Sequence, residues 1–167
     1  MDVRRREPSD LGACARVLAE VHRTDGYPVD WPERPEGWLS PSALLDAWVA
    51  GHEGVTAGHV ALSRAEPDDA APALLCRRDG VPVEAVAVVG RLFVAPTARG
   101  LGAGALLMAR AVRGARARGL RPVLDVLAAD TAAAALYDRL GWSPLGSVEQ
   151  HWGPGRTVTV RCYAAPA

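Results

Sequence analysis

The run Leu92-Phe93-Val94-Ala95-Pro96-Thr97-Ala98-Arg99-Gly100-Leu101-Gly102-Ala103-Gly104 constrains this chain more than any other segment. An apolar, strand-like stretch stops at a proline. An arginine and three alternating glycines follow, and then a long run of alanine, leucine and arginine begins. Leu106, Leu107, Ala109, Ala111 and Val112 recur on one broad face, which predicts a helix from Gly102 to Arg118. A glycine-rich turn that opens a helix leaves several backbone N–H groups unpaired, with the positive end of the helix dipole behind them. Such a turn binds phosphate.

Composition narrows the chemistry. The 167 residues suit one domain, residues 1–167, and 49% are hydrophobic, so a full core is available. The 19 basic and 19 acidic residues cancel, which argues against nucleic acid or an anionic membrane as partner. Every one of the 19 basic residues is Arg, and Lys, Asn and Ile are absent, a bias that resembles a GC-rich bacterial genome. Without lysine there is no Schiff-base chemistry and no Gly-Lys-Ser/Thr phosphate loop. Cys14, Cys76 and Cys162 are far apart and lack metal-ligand spacing. That fits a reduced cytoplasm, no disulfide framework and no metal. Met1 to Pro8 has no apolar core of a secretory signal, and no apolar run is long enough to span a bilayer.

The order of elements predicts a mixed α/β fold. Val3 to Arg6 reads as a strand, and Ser9 or Asp10 as the cap of a helix that carries Leu11, Cys14, Ala15, Leu18 and Val21 on its apolar face. His22 to Pro41 is irregular, and Ser42 to Ala47 reads as a short helix. Trp48 to Ala50 and Val55 to Leu62 read as strands joined by Gly51-His52-Glu53-Gly54. Ala70 to Arg77 suits a short helix, and Glu84 to Val94 a long central strand. Val123 to Leu127 is a strand. Asp130-Thr131 caps a helix from Ala132 to Leu140 that stops at Gly141, and a final hairpin spans Gly146–Trp152 and Thr157–Tyr163.

These residues resemble the GCN5-related N-acetyltransferase (GNAT) superfamily. Arg99-Gly100-Leu101-Gly102-Ala103-Gly104 fits the family's loop for the pyrophosphate of acetyl-coenzyme A. The stretch from Asp130 through Leu136-Tyr137 to Gly141-Trp142 resembles its second signature, with Asp for the usual Asn and Trp for Phe. The resemblance is firm from about Val88 to Leu145. It implies a mostly antiparallel, twisted sheet of six or seven strands flanked by helices, splayed after the central strand. It also implies acetyl transfer from acetyl-CoA to a primary amine. Leu92, Phe93 and Val94 would pair with the pantetheine arm. Arg99, Gly100, Leu101, Gly102, Ala103, Gly104 and Ala105 would hold the phosphates, and Asp130 would stand where an amide usually meets the coenzyme. Tyr137 would protonate the leaving thiolate, since a phenol with a pKa of about 10 is protonated at neutral pH.

The base that deprotonates the amine is open. Glu84 is the first candidate, ahead of His59, Glu149 and His151. Tyr27, Trp31 and Trp38 either line an acceptor pocket or pin a proline-rich loop to the surface. Exposed hydrophobes on the final hairpin would mark a homodimer. Two other functions fit parts of the pattern. One is a coenzyme-A sensor without efficient transfer. The other is a dinucleotide oxidoreductase, because Gly100-x-Gly102-x-x-Ala105 also satisfies the Rossmann fingerprint.

Overall fold

The computed structural model describes residues 1–167. In chain order its elements are β1 (Asp2–Arg5), α1 (Leu11–Asp25), α2 (Pro35–Trp38), β2 (Leu44–His52), β3 (Val55–Arg64), α3 (Ala70–Asp79), β4 (Val86–Val94), α4 (Ala103–Ala117), β5 (Arg121–Leu127), α5 (Thr131–Arg139), β6 (Ser143–His151) and β7 (Thr157–Ala164). The seven strands follow the order β1-β2-β3-β4-β5-β7-β6. Pairing is antiparallel for β1–β2, β2–β3, β5–β7 and β6–β7, and parallel for β4–β5. A doubly wound parallel sheet is therefore not formed, which removes the dinucleotide fold. No helix is long and apolar enough to cross a membrane. The chain divides into two compact units, Met1–Ser63 with Val89–Gly114, and Arg64–Val88 with Ala115–Ala167.

In the first unit β2 turns into β3 through Glu53 and Gly54, with φ of 53° and 77°. Paired positive φ values give the twist that a tight hairpin needs. β3 is buried without a break from Ala57 to Leu62, the mark of a strand covered on both faces rather than half solvated. α1 directs Cys14, Leu18 and Val21, at helical spacing, into a cluster with Leu39, Val49 and Phe93. Leu18, Leu39 and Leu107 are 0% exposed, and burying each stabilises the fold by about 2 kcal/mol. α1 stops at Gly26, whose left-handed backbone (φ 73°) lets its N–H reach the His22 carbonyl at 2.9 Å. Gly58 on β3 marks a close approach. A Cβ there would stand 3.0 Å from Leu107 Cδ1 of α4 and 3.0 Å from the Phe93 carbonyl oxygen of β4.

Two sequence expectations fail in this unit. Ser42 to Ala47 is not a helix. From Leu44 it is strand β2, with Leu44 opposite Ser63, Asp46 opposite Leu62 and Ala47 opposite Ala61. Strand pairing overrides the helix preference of Ala and Leu. The helical turn falls earlier, at α2. Asp10 precedes α1 but its side chain does not cap it. The carboxylate instead accepts from the Glu7 N–H at 2.7 Å and from both terminal nitrogens of Arg4, at 2.7 and 2.8 Å. Those bonds hold its pKa below the usual carboxylate range, the Arg4 hydrogen bond first.

In the second unit α3 packs Ala70, Ala71 and Leu75 against Val86, Val123 and Cys162. β4 and β5 pair through Val86↔Arg121, Ala87↔Pro122 and Val88↔Val123. β7 lies between β5 and β6 and shifts register on β6 at Pro144/Gly146. Asp79 at the end of α3 binds Arg78 and Arg121, each at 2.8 Å. These hydrogen bonds, Arg78 first, push its pKa down to about 2. The exposed large hydrophobes of the chain are Met1, Val29, Trp31, Val55, Leu101 and Leu106, so the final hairpin contributes none. All three cysteines are free.

Candidate active site

The end of β4 is pinned by its neighbour in the first unit. The Ala95 N–H donates to the Ala57 carbonyl at 2.7 Å. Pro96 then removes a donor and starts a 3-10 turn, Pro96–Ala98, closed by Ala98 N–H to the Ala95 carbonyl at 2.9 Å. Gly100 and Gly102 follow at φ 81° and 82°. Side-chain-bearing residues avoid that region, and a Cβ on either glycine would point into open space. Leu106 N–H to the Gly102 carbonyl, at 3.1 Å, is the first bond of the α4 ladder. The N–H groups of Gly102, Ala103, Gly104 and Ala105 precede it, and these are the four that a helix cannot satisfy from within. Uncrowded left-handed glycines beside a fifteen-residue helix start make a concave, electropositive bend that suits a diphosphate.

Arg99 opens this bend and is already engaged. Its guanidinium pairs with the carboxylate of Asp25, the last residue of α1, and reaches the Val94 carbonyl at 3.5 Å. Both partners of the ion pair are about 40% exposed (43% and 40%), so the bond is screened by solvent. Sequence reasoning placed Arg99 at the loop and did not anticipate Asp25. Phe93, one residue before the end of β4, lies 4% exposed with its ring stacked on His59 at 5.1 Å.

His59 is 0% exposed. Arg6 donates to its Nε2 at 2.9 Å, which leaves Nδ1 to donate to the Arg91 carbonyl at 2.9 Å. Burial, first, and the neighbouring arginines push its pKa down to about 4. A sealed imidazole with both nitrogens committed is a structural group, not a base for a substrate. His151 is exposed, with Nδ1 3.2 Å from the Thr157 hydroxyl, and Glu149 is exposed on β6. Glu84 is exposed in the 3-10 turn Val83–Ala85 that precedes β4, two residues before the strand the sequence assigned it to.

In the second unit α5 carries Tyr137, which is 7% exposed. Its ring packs on Trp142 at 6.2 Å and Tyr163 at 5.9 Å, and its carbonyl accepts the Trp142 N–H at 3.0 Å. Trp142 is 4% exposed, so it fills a core position as the Phe of the resembled signature would. Asp130 is the N-cap of α5 and accepts from the Ala133 N–H at 3.1 Å. Its carboxylate therefore has a local structural role at the position where the resembled family carries an amide. No group of three His, Cys, Asp or Glu is placed to hold a metal ion.

Sequence reasoning missed Arg91. This residue of β4 has φ 52°, its Nε donates to the Trp38 carbonyl at 2.9 Å, and its Cζ lies 4.3 Å from the Trp38 ring centroid. Tyr27 meets the same indole edge-on at 6.2 Å, whereas Trp31 packs on His22 at 5.2 Å. The aromatics of the proline-rich segment thus divide between two clusters.

Residues 15–142 match the family model for the acetyltransferase (GNAT) family, and the chain belongs to that family. No curated protein matches it in sequence. Among solved structures, it is similar to a ribosomal-protein-alanine N-acetyltransferase from Brucella melitensis, with a TM-score of 0.72 and 21% identity over 98% of both chains. An N-acetyltransferase from Staphylococcus aureus gives 0.71 and 18% over 98% of this chain and 96% of that one. NAA60 of Arabidopsis thaliana, solved with acetyl-CoA, gives 0.72 and 19% over 98% and 96%. At such identities these likenesses establish the fold.

Proposed function

We propose that this chain transfers an acetyl group from acetyl-CoA to the primary amine of an acceptor, a small-molecule amine or a peptide amine, as a single domain in the cytoplasm. The observation that carries this reading is the bend after β4. Two left-handed glycines with open space before them lead into a helix whose first N–H groups have no partner within it. Family membership and the acetyl-CoA bound to the Arabidopsis protein support the same donor.

Acetyl-CoA supplies the activated thioester. The amides of Gly100 to Ala105 receive its diphosphate, aided by the dipole of α4. Leu92, Phe93 and Val94 lie beyond the three residues of β4 that pair with β5, and we assign their backbone to the pantetheine arm. Backbone N–H groups there polarise the thioester carbonyl. Tyr137 is assigned to protonate the departing thiolate, with its ring held by Trp142 and Tyr163. Asp130 fixes the start of the helix that presents it. Glu84 is the assigned base, and Glu84→Gln tests it. A loss of turnover that grows as pH falls supports the role, and unchanged turnover removes it.

Calorimetric titration with acetyl-CoA, followed by thiol release across a panel of amines, tests the whole reading. Absence of coenzyme binding ends it.

A further inference from the structure

Arg91 lies half-buried in β4, one residue before the segment assigned to the pantetheine arm. Its φ of 52° is a conformation that a residue with a side chain keeps only when its surroundings enforce it. Here they do. Its carbonyl takes the Nδ1–H of the sealed His59, and His59 is in turn held by Arg6. Arg6 is itself anchored to the Leu39 carbonyl at 2.7 Å and the Ser40 hydroxyl at 2.6 Å. A chain of side chains with the buried His59 at its centre thus fixes a strained peptide, and the peptide fixes where the Arg91 side chain goes.

That side chain lies across the Trp38 indole, with Nε committed to the Trp38 carbonyl. Its two terminal nitrogens donate to no protein group. No buried side-chain nitrogen or oxygen in the structure lacks a partner, so these nitrogens are not fully buried. The ion pairs of Arg4, Arg5, Arg78, Arg99 and Arg121 each include an aspartate, whereas Arg91 has no carboxylate partner. Desolvation accordingly lowers its pKa. A rigid, partly desolvated guanidinium that offers a free pair of N–H₂ groups beside an aromatic wall has the geometry for one planar oxyanion.

Resting on the acetyltransferase reading above, we infer that Arg91 receives a carboxylate of the acceptor, so that the amine acetylated here belongs to a small amino-acid-like molecule. Tyr27 and Trp38 form the apolar wall beside that carboxylate, and Arg6 and His59 act as positioning residues for Arg91.

The test compares amino acids with their own carboxamides as acceptors, with acetyl-CoA saturating and thiol release as the readout. The wild-type protein is expected to prefer the acid of each reactive pair by roughly ten- to a hundredfold in kcat/KM, the range of a charge-assisted hydrogen bond. Arg91→Gln should bring the acids down to the level of the amides through KM, and Arg91→Lys should recover part of the difference. Indifference of the wild-type protein to the carboxylate overturns the inference. So does an Arg91→Gln loss of equal factor for acid and amide, or failure of every acid to serve as acceptor while acetyl-CoA still binds. The wild-type comparison stands even where a variant does not fold. Loss of acetyl-CoA binding itself would instead strike the acetyltransferase reading, and calorimetry separates the two.

Discussion

Arg6 and His59 meet nose to nose in the interior of the first unit, a guanidinium nitrogen 2.9 Å from Nε2 of an imidazole that is fully buried. An arginine can only donate, so Nε2 must accept, and the ring must be neutral. The contact therefore makes the protonated state of His59 incompatible with the folded core.

Stability is expected to depend on pH through this ring. His59 titrates near 6.5 when unfolded and at about 4 when folded. Between those values the unfolded chain binds the proton and the folded one does not, so acid favours unfolding. Full stability is present above about pH 6.5 and is lost as pH falls toward 4, by about 3 kcal/mol in all. Urea titrations at pH 7.5, 5.5 and 4.5 should show the decline, and the His59 ring resonances should stay neutral to about pH 4. Asp10 and Asp79, with lowered pKa values, add their losses in more acid solution.

Gly102→Val should weaken acetyl-CoA binding severely. The substitution forces a β-branched residue to φ 82° at a strain of about 1–2 kcal/mol, and it fills the open space beside the first amides of α4. Calorimetry on folded variant protein gives the answer, and undiminished affinity would remove the diphosphate from this bend.

Tyr137→Phe keeps the ring between Trp142 and Tyr163 and removes only the hydroxyl. Turnover is expected to drop by about a hundredfold, within the range of general acid catalysis, with the coenzyme dissociation constant nearly unchanged. A parallel loss of affinity and turnover would make the tyrosine structural.

Gly58→Ala should lower stability by about 1–3 kcal/mol, the usual effect of overpacking a filled core. The new methyl would stand 3.0 Å from the Leu107 methyl of α4 and 3.0 Å from the Phe93 carbonyl oxygen of β4. Thermal unfolding monitored by circular dichroism reads the change directly.

Local signals made much of this fold legible. The turn at Glu53-Gly54, the apolar stripe of α1, the cap at Asp130 and the stop at Gly141 depend on neighbours in sequence, and the structure has them close to where they read. What stayed hidden depends on distant partners. Leu44 to Ala47 has the composition of a helix and becomes strand only because β3 offers it a pairing edge. Asp10 stands where a cap belongs, yet Arg4 across the turn claims its carboxylate. At the site, the glycines announce themselves because their conformation is their chemistry. Arg91 does not, since nothing in Gly90-Arg91-Leu92 foretells a left-handed arginine held by a histidine 32 positions earlier.

The tight spot at Gly58 has one more implication. It gauges how closely α4 may lie on the strands beneath it, and the amide mouth is the first turn of that same helix. A bulkier residue at this remote point would lift the helix and, with the donor held as proposed, retune that grip without touching any atom assigned to it.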